Sequence, residues 1–202
     1  MMLRQLVLSW LLVMPTMGWQ ARSSIAMMAP NPEISKAAAD SCDAKVRLLE
    51  ANAGTGKRQT ISLSEEEMNS YLALVIGPNY HPSLKSVLLR FNDGRVVAVA
   101  TIDFDHLNFS STQFLNGLIR SLLTGMHTLM VSGNAVSGEG KANFNLGEAR
   151  IDTVALPNIL VAEIISAVGR KQQPPFDPMQ PTPLPYHIQK IDVRSRYIVL
   201  YQ

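Results

Sequence analysis

The chain has 202 residues, of which 47% are hydrophobic and 17% charged, and its formal net charge is +2. Both excess charges come from Arg4 and Arg22 in the first 26 residues, so the remainder is neutral. A neutral chain without Lys/Arg clusters lacks the basic surface that nucleic acids and anionic membranes attract, and we expect neither as an electrostatic partner. Cys42 is the only cysteine, which excludes an internal disulfide and predicts a small buried thiol.

Residues 1–26 have the organisation of a secretory signal peptide. Arg4 precedes an apolar run over residues 6–14, and small residues at 24–26 predict cleavage after Ala26. The run is shorter than the ~20 apolar residues that span a bilayer. We therefore predict an exported protein, periplasmic or extracellular, with an uncleaved N-terminal membrane anchor as the alternative. Residues 27–31 then form a short linker, and residues 32–202 form a single domain.

The domain is predicted to open with a helix over residues 32–53. Asn31 is placed as its N-cap and Pro32 as its first helical residue. Gly54 and Gly56 end this helix, and a short strand follows at 58–62. Its apolar stripe has helical spacing and consists of Ile34, Ala38, Cys42, Val46 and Leu49.

A second helix is predicted to begin at a capping box. Ser64 and Glu67 can each bond the other's backbone N–H, and Leu63 and Met68 are spaced for the accompanying hydrophobic contact. Gly77 and the proline after it stop this helix. Its predicted buried residues are Met68, Tyr71, Leu72 and Val75.

A β-hairpin over residues 86–104 is predicted next, because Asp93-Gly94 supplies the positive φ that a tight turn needs. The second strand of this hairpin is apolar on both faces and is expected to be central. Apolar residues at helical spacing over 114–122 predict a third helix.

Alternating apolar residues return over residues 128–156, with a turn at 137–140 and a bulge at Gly147. Pro157 opens a fourth helix, whose apolar stripe is Leu160, Val161, Ile164, Ile165 and Val168. Methionines 68, 126 and 130 are placed on inward positions.

The proline-rich residues 172–185 predict an extended connection, largely without hydrogen bonds. A last hairpin is predicted over 186–193 and 197–201. The pattern indicates an α+β fold, with an antiparallel sheet and about four helices.

Few residues in the sequence suggest a catalytic, phosphate-binding or metal-binding site. Residues 51–57 resemble a phosphate-binding loop, but Arg58 stands where Ser or Thr is required, and a helix precedes the loop where a strand should. Asp103, Asp105 and His106 could meet a hard cation, although polar surface residues explain them better. The four histidines are scattered without zinc-site spacing. We therefore predict no catalytic residues, no metal and no cofactor, with a hydrolase assembled in space as an alternative.

Three parts of the chain are similar to exported bacterial proteins of the LmeA-like family. Residues 61–72 resemble the opening strand-to-helix segment of that family, and residues 131–146 resemble its central hairpin. Residues 154–157 and 183–193 resemble its C-terminal unit. The resemblance implies a curved antiparallel sheet packed around and beneath the helices, related to tubular lipid-binding folds. It also implies binding of lipid at the cell envelope, and it carries no catalytic residue.

The leading hypothesis is therefore a non-enzymatic protein that holds a lipid or other apolar ligand between sheet and helices, and transient contact with a membrane is compatible with it. The alternative is an envelope scaffold that binds a polypeptide through a sheet edge or through residues 174–185. The residues predicted to line an apolar cavity come from the helical stripes and are Met68, Leu72, Leu115, Leu118, Leu122, Ile164 and Ile165.

Overall fold

The computed structural model describes residues 32–107, 124–172 and 181–202. These residues form three α-helices: α1 (Lys36–Asn52), α2 (Glu65–Tyr71) and α3 (Asn158–Lys171). Their nine strands are β1 (Thr60–Ser64), β2 (Leu84–Asn92), β3 (Arg95–Asp103), β4 (Met126–Gly138), β5 (Lys141–Ile151), β6 (Val154–Ala155), β7 (Thr182–Pro183), β8 (Lys190–Arg194) and β9 (Tyr197–Tyr201). The predicted α+β class with an antiparallel sheet is confirmed. The helix predicted over 114–122 lies outside the described residues.

The strands form two antiparallel sheets. In the large sheet the order is β2-β3-β4-β5-β6, and β7 pairs with the other end of β5. β3 lies in the interior of this sheet, paired with β2 on one side and β4 on the other, as its apolar sequence predicts. The small sheet has the order β1-β9-β8 and joins distant parts of the chain.

Two glycines shape the large sheet as the sequence predicts. Gly94 has a φ of +71° in the turn between β2 and β3, a conformation that glycine adopts without steric cost. In the pairing of β4 with β5, Ser132 lies opposite Glu148 and Gly133 lies opposite Leu146. Gly147 is therefore the extra residue of a β-bulge.

One face of the large sheet packs into the hydrophobic core of the molecule. Alternate residues of β3 are at most 6% exposed on this face, whereas the residues between them are half-buried. The predicted apolar stripe of α3 is buried in the same hydrophobic core, with Pro157 as the N-cap. None of the described helices is long and apolar enough to cross a membrane.

Helix α1 begins later than predicted. Its N-cap is Ser35, whose Oγ accepts a hydrogen bond from the N–H of Ala38 at 3.1 Å. The N–H of Ser35 donates to Ser70 Oγ at 3.0 Å, which ties the cap to α2. Because the helix starts at Lys36, Ile34 lies outside it and is 44% exposed, so its place in the predicted stripe was wrong.

Helix α2 begins at the predicted capping box, with both Ser64 and Glu67 bonds present. Leu63, which precedes the helix, and Met68, which lies within it, are both buried. The backbone continues beyond α2 as a wider π-helical turn over Leu72–Ile76. The side chains of α2 also cover the free edge of β2, because Glu65 and Asn69 bond to its backbone.

The C-terminal segment differs from its prediction in two places. Thr182–Pro183 pairs with β5, so residues 172–185 are not free of ladder hydrogen bonds throughout. Tyr186 and His187 have φ values of +55° and +57°, in a tight turn rather than the predicted strand, and β8 begins only at Lys190.

Candidate functional site

The structure brings the described members of the predicted cavity lining into one hydrophobic core. Met68 and Leu72 are 2% and 1% exposed, and Ile164 and Ile165 are 0% and 5% exposed. Leu115, Leu118 and Leu122 lie outside the described residues. Burial is what any core residue shows, so a ligand-lining role for these side chains stays a prediction.

Tyr80 carries a polar group that sequence reasoning missed. It follows the 3₁₀ turn Gly77–Asn79 and donates its N–H to the carbonyl of Gly77 at 3.1 Å. Its ring packs against the hydrophobic core. The hydroxyl oxygen is buried and has no hydrogen-bond partner within the described parts of the chain. Burial raises the pKa of Tyr80, so the hydroxyl keeps its proton and remains a donor.

A buried donor without an acceptor is costly. Leaving one unpaired costs about 1–3 kcal/mol, and native proteins satisfy nearly all of their buried polar groups. The Tyr80 hydroxyl is therefore a buried polar group that the described residues leave uncompensated.

His81 joins the segment after Tyr80 to the end of α3, since its N–H donates to Gln172 Oε1 at 3.4 Å. Its ring Nδ1 lies 2.9 Å from Ser83 Oγ, which is a serine–histidine pair of the kind a hydrolase needs. However, Ser83 is fully buried, and Nδ1 also accepts the Ser83 N–H at 3.2 Å. Among the described residues no carboxylate bonds to His81. The pair therefore closes a local turn and does not present a nucleophile.

The candidate cation cluster makes contacts that stabilise the fold; its members are Asp103, Asp105 and His106. Asp103 Oδ2 lies 3.2 Å from Lys85 Nζ and 3.1 Å from His106 Nδ1. Loss of solvation acts to raise the pKa of Asp103, but the bonds from Lys85 and His106 outweigh it and hold the pKa below its ordinary value. Asp105 Oδ1 accepts the Gly125 N–H at 3.0 Å. Within the described residues no group of three or more His, Cys, Asp or Glu side chains could hold a metal ion.

Among the described residues, His127 forms a second histidine–carboxylate contact. Its Nδ1 lies 2.7 Å from Asp152 Oδ2, and its Nε2 lies 2.9 Å from the carbonyl oxygen of Thr124. Because both ring nitrogens of His127 already contact groups of the protein itself, neither is available as a general base.

An open groove of about 400 Å³ lies at the start of α2. It is lined by residues that are mostly of polar or charged type, namely Lys45, Ser62, Ser64, Glu65, Glu66, Glu67, Arg196 and Tyr197. Lys45 already bonds to Glu67 at 2.6 Å and to the carbonyl of Ser62 at 2.8 Å. The groove is therefore unlike the apolar cavity that the sequence predicts.

Cys42 is the buried thiol that the sequence predicts. It is 1% exposed, and desolvation, assisted by the charge of Glu67, raises its pKa to about 12. Its packing therefore makes it a core residue rather than a reactive one.

A comparison with protein-family models finds no match for the chain, and neither does a comparison with curated proteins or with solved structures. The resemblance to the LmeA-like family thus rests on the sequence segments themselves. The fold defines the class of the protein as α+β with an antiparallel sheet.

Proposed function

We propose that this is an exported, non-enzymatic protein that holds a lipid or other apolar ligand at the cell envelope. The ligand lies between the inner face of the large sheet and the helices that cover it. One observation carries the proposal: the Tyr80 hydroxyl is buried in an apolar environment and has no partner among the described residues.

Two further features support this function. The inner face of the large sheet and the buried face of α3 are aliphatic, which is the lining that apolar ligands require. The sequence also resembles a family associated with lipid at the envelope. The signal-like residues 1–26 support the export part of the proposal, and N-terminal sequencing of the mature protein checks cleavage after Ala26.

The test is to identify what the protein carries. Full-length protein is purified from the envelope fraction without detergent, and native mass spectrometry compares its mass with the mass after denaturation. We expect an added mass that disappears on denaturation and reappears as lipid in an organic extract. If the protein is always ligand-free and binds no added lipid, the proposal is wrong.

A second candidate is an envelope scaffold that binds an extended polypeptide at the edge of β5. β7 pairs with the first two residues of β5, and β6 pairs with the last two. No described strand pairs with residues 143–147 on that side. An edge of this kind can accept an added strand.

This candidate is tested by pull-down from the envelope fraction with two matched variants. Asn145→Lys adds a charge on the β5 edge strand, whereas Asn134→Lys adds one at its register partner on the inner strand β4. Loss of one specific partner with Asn145→Lys but not with Asn134→Lys supports the scaffold. Equal capture by both variants contradicts it.

A further inference from the structure

We propose that the groove at the start of α2 binds a small zwitterion that carries a phosphate and an ammonium group, as in a phosphoethanolamine head group. In this site Arg196 binds the phosphate and Glu66 binds the ammonium. The inference goes beyond the proposed function, because it concerns a site at the surface and not the apolar interior. The groove provides about 400 Å³ of space, which is within the range of sites that bind small molecules.

The fold already pairs three of the five charged side chains that line this groove. Lys45 Nζ lies 2.6 Å from Glu67 Oε1. Glu65 accepts the N–H of Phe91 at 2.8 Å and lies 3.4 Å from a guanidinium nitrogen of Arg90. These three side chains therefore have partners without any ligand.

The other two charged side chains, Arg196 and Glu66, are exposed and largely unpaired. Within the described residues the Arg196 guanidinium has no hydrogen bond or ion pair, and Glu66 makes only the 3.4 Å bond with Ser35 Oγ. Arg196 and Glu66 also form no ion pair with each other, although both line the groove. The groove therefore presents one free positive charge and one free negative charge at separate points.

The charges of the lining favour a zwitterion over a simple ion. An anion would meet three carboxylates, and a cation would meet an ammonium and a guanidinium. A phosphate offers more acceptor oxygens than a carboxylate does, so it can accept from the guanidinium of Arg196 and from a hydroxyl together. Ser64 supplies such a hydroxyl, because its Oγ accepts the N–H of Glu67 and keeps its own proton to donate.

The backbone of Arg196 is held in a conformation that favours glycine. Its φ is +70°, which costs any residue with a Cβ more than it costs glycine. The N–H of Arg196 donates to the carbonyl of Phe91 at 3.0 Å, and its carbonyl accepts the N–H of Glu65 at 2.9 Å. These two bonds fix the backbone of Arg196 against β2 and the start of α2. Local strain of this kind is typical of binding sites, and here it presents a guanidinium to the groove.

The test compares three soluble probes on the wild-type protein: O-phosphoethanolamine, inorganic phosphate and ethanolamine. Binding is followed by the backbone amide resonances of isotope-labelled full-length protein. We expect the resonances of Glu66 and Arg196 to shift. O-phosphoethanolamine should bind about 2- to 5-fold more tightly than either of the other probes, since one exposed charge pair contributes a factor of that size.

Two variants remove one charge each. Arg196→Gly should bind O-phosphoethanolamine no more tightly than ethanolamine, with a melting temperature equal to or above that of the wild type. Glu66→Gln should bind it no more tightly than phosphate. Glu139→Gly is the matched control, because Glu139 also has a positive φ, +52°, but lies outside the groove in the turn between β4 and β5. It should keep the wild-type preference.

Sedimentation with vesicles identifies the source of the head group. Capture by vesicles of phosphatidylglycerol with phosphatidylethanolamine, but not of phosphatidylglycerol alone, supports a site for a membrane lipid. Binding of the soluble probe without capture supports a site for the free zwitterion.

Equal binding of the three probes by the wild type overturns the site, and so does a preference that survives Arg196→Gly. Neither result affects the proposed function, which native mass spectrometry tests through the ligand that the protein carries. The comparison of probes on the wild type needs no variant, so it is decisive whatever the stability of the variants.

Discussion

The side-chain amide of Asn69 hydrogen-bonds both backbone groups of Leu89. Asn69 Oδ1 accepts the Leu89 N–H at 2.7 Å, and Nδ2 donates to the Leu89 carbonyl at 2.8 Å. Two residues further along β2, Glu65 Oε2 accepts the N–H of Phe91 at 2.8 Å. Helix α2 therefore supplies the bonds that a neighbouring strand would otherwise supply, and it closes an edge at which another chain could pair.

Replacement of Asn69 tests this closure. Asn69→Leu has a similar volume but leaves both polar groups of Leu89 buried without partners. We expect a loss of about 2–4 kcal/mol in the free energy of unfolding, because each unpaired group costs about 1–3 kcal/mol. Urea denaturation followed by circular dichroism measures it. Asn79→Leu is the control, because Asn79 is exposed and makes a single long bond at 3.5 Å; similar losses in both variants would contradict the prediction.

The bulge at Gly147 gives a second prediction. A Cβ at Gly147 would lie 3.2 Å from the carbonyl oxygen of Ser132, which the sheet holds in place. We expect Gly147→Ala to lose about 1–3 kcal/mol through crowding. Gly138→Ala is the matched change on β4, where a Cβ meets nothing within 4 Å, and it should be neutral or stabilising. Thermal unfolding of the two variants checks the order, and Gly147→Ala as stable as Gly138→Ala would refute it.

Glu67 makes stability depend on pH. Burial acts to raise the pKa of Glu67, but hydrogen bonds from Lys45, Ser41 and the Ser64 backbone together hold the pKa below its ordinary 4.5. A carboxyl with a lowered folded-state pKa stabilises the protein above its unfolded-state pKa, and this contribution is lost as the pH falls through the folded-state value. Glu67→Gln should therefore be less stable than the wild type at pH 7.

The difference should shrink below about pH 4.5, where the carboxyl of the unfolded state begins to take up a proton while the folded-state carboxyl is still ionised. Urea midpoints at pH 7, 5 and 3 give the profile. Glu66→Gln is the control, since Glu66 is exposed and bonds only weakly to Ser35 Oγ at 3.4 Å. A stability gap for Glu67→Gln that stays constant over this range is the result that speaks against the prediction.

Cys42 should be unreactive in the folded protein. A pKa raised from 9.0 to about 12 lowers the thiolate fraction about a thousandfold at a given pH, and burial also blocks access. We expect no alkylation by iodoacetamide at pH 8 in buffer and complete alkylation in guanidinium, both read by intact mass. Ser195→Cys places a second thiol at an exposed turn and should add one rapid alkylation. Rapid labelling of native wild-type protein would show the thiol to be accessible.

The sequence predicted best the features that are decided within a few residues. The Asp93-Gly94 turn, the Ser64–Glu67 capping box and the Gly147 bulge each depend on local backbone geometry, and each was confirmed. Alternation of apolar residues over 128–156 also predicted β4 and β5. Alternation does not say which face will be covered, so Met126 was placed inward and is 66% exposed.

The structural features that the sequence did not predict depend on contacts between distant segments of the chain. Helix α1 starts after Ser35 rather than at Pro32, and Ser35 is held by Ser70 on the next helix. The left-handed turn at Tyr186 is held by the side chain of Gln202, which donates to its carbonyl. Tyr80 was missed because Gly77 and the proline after it indicate only where a helix ends, not that the next aromatic ring turns inward.

The pairing of β1 with β9 has a consequence for how the molecule is made. A hydrogen bond from Ser62 to Ile198 joins positions 136 residues apart, while the strands of the β2–β5 meander follow one another in the chain. Contacts between near neighbours form early, and those that close a long loop form late. The meander can therefore assemble while the rest of the chain is still unfolded, but β1 has no strand partner until the last strand of the chain is in place.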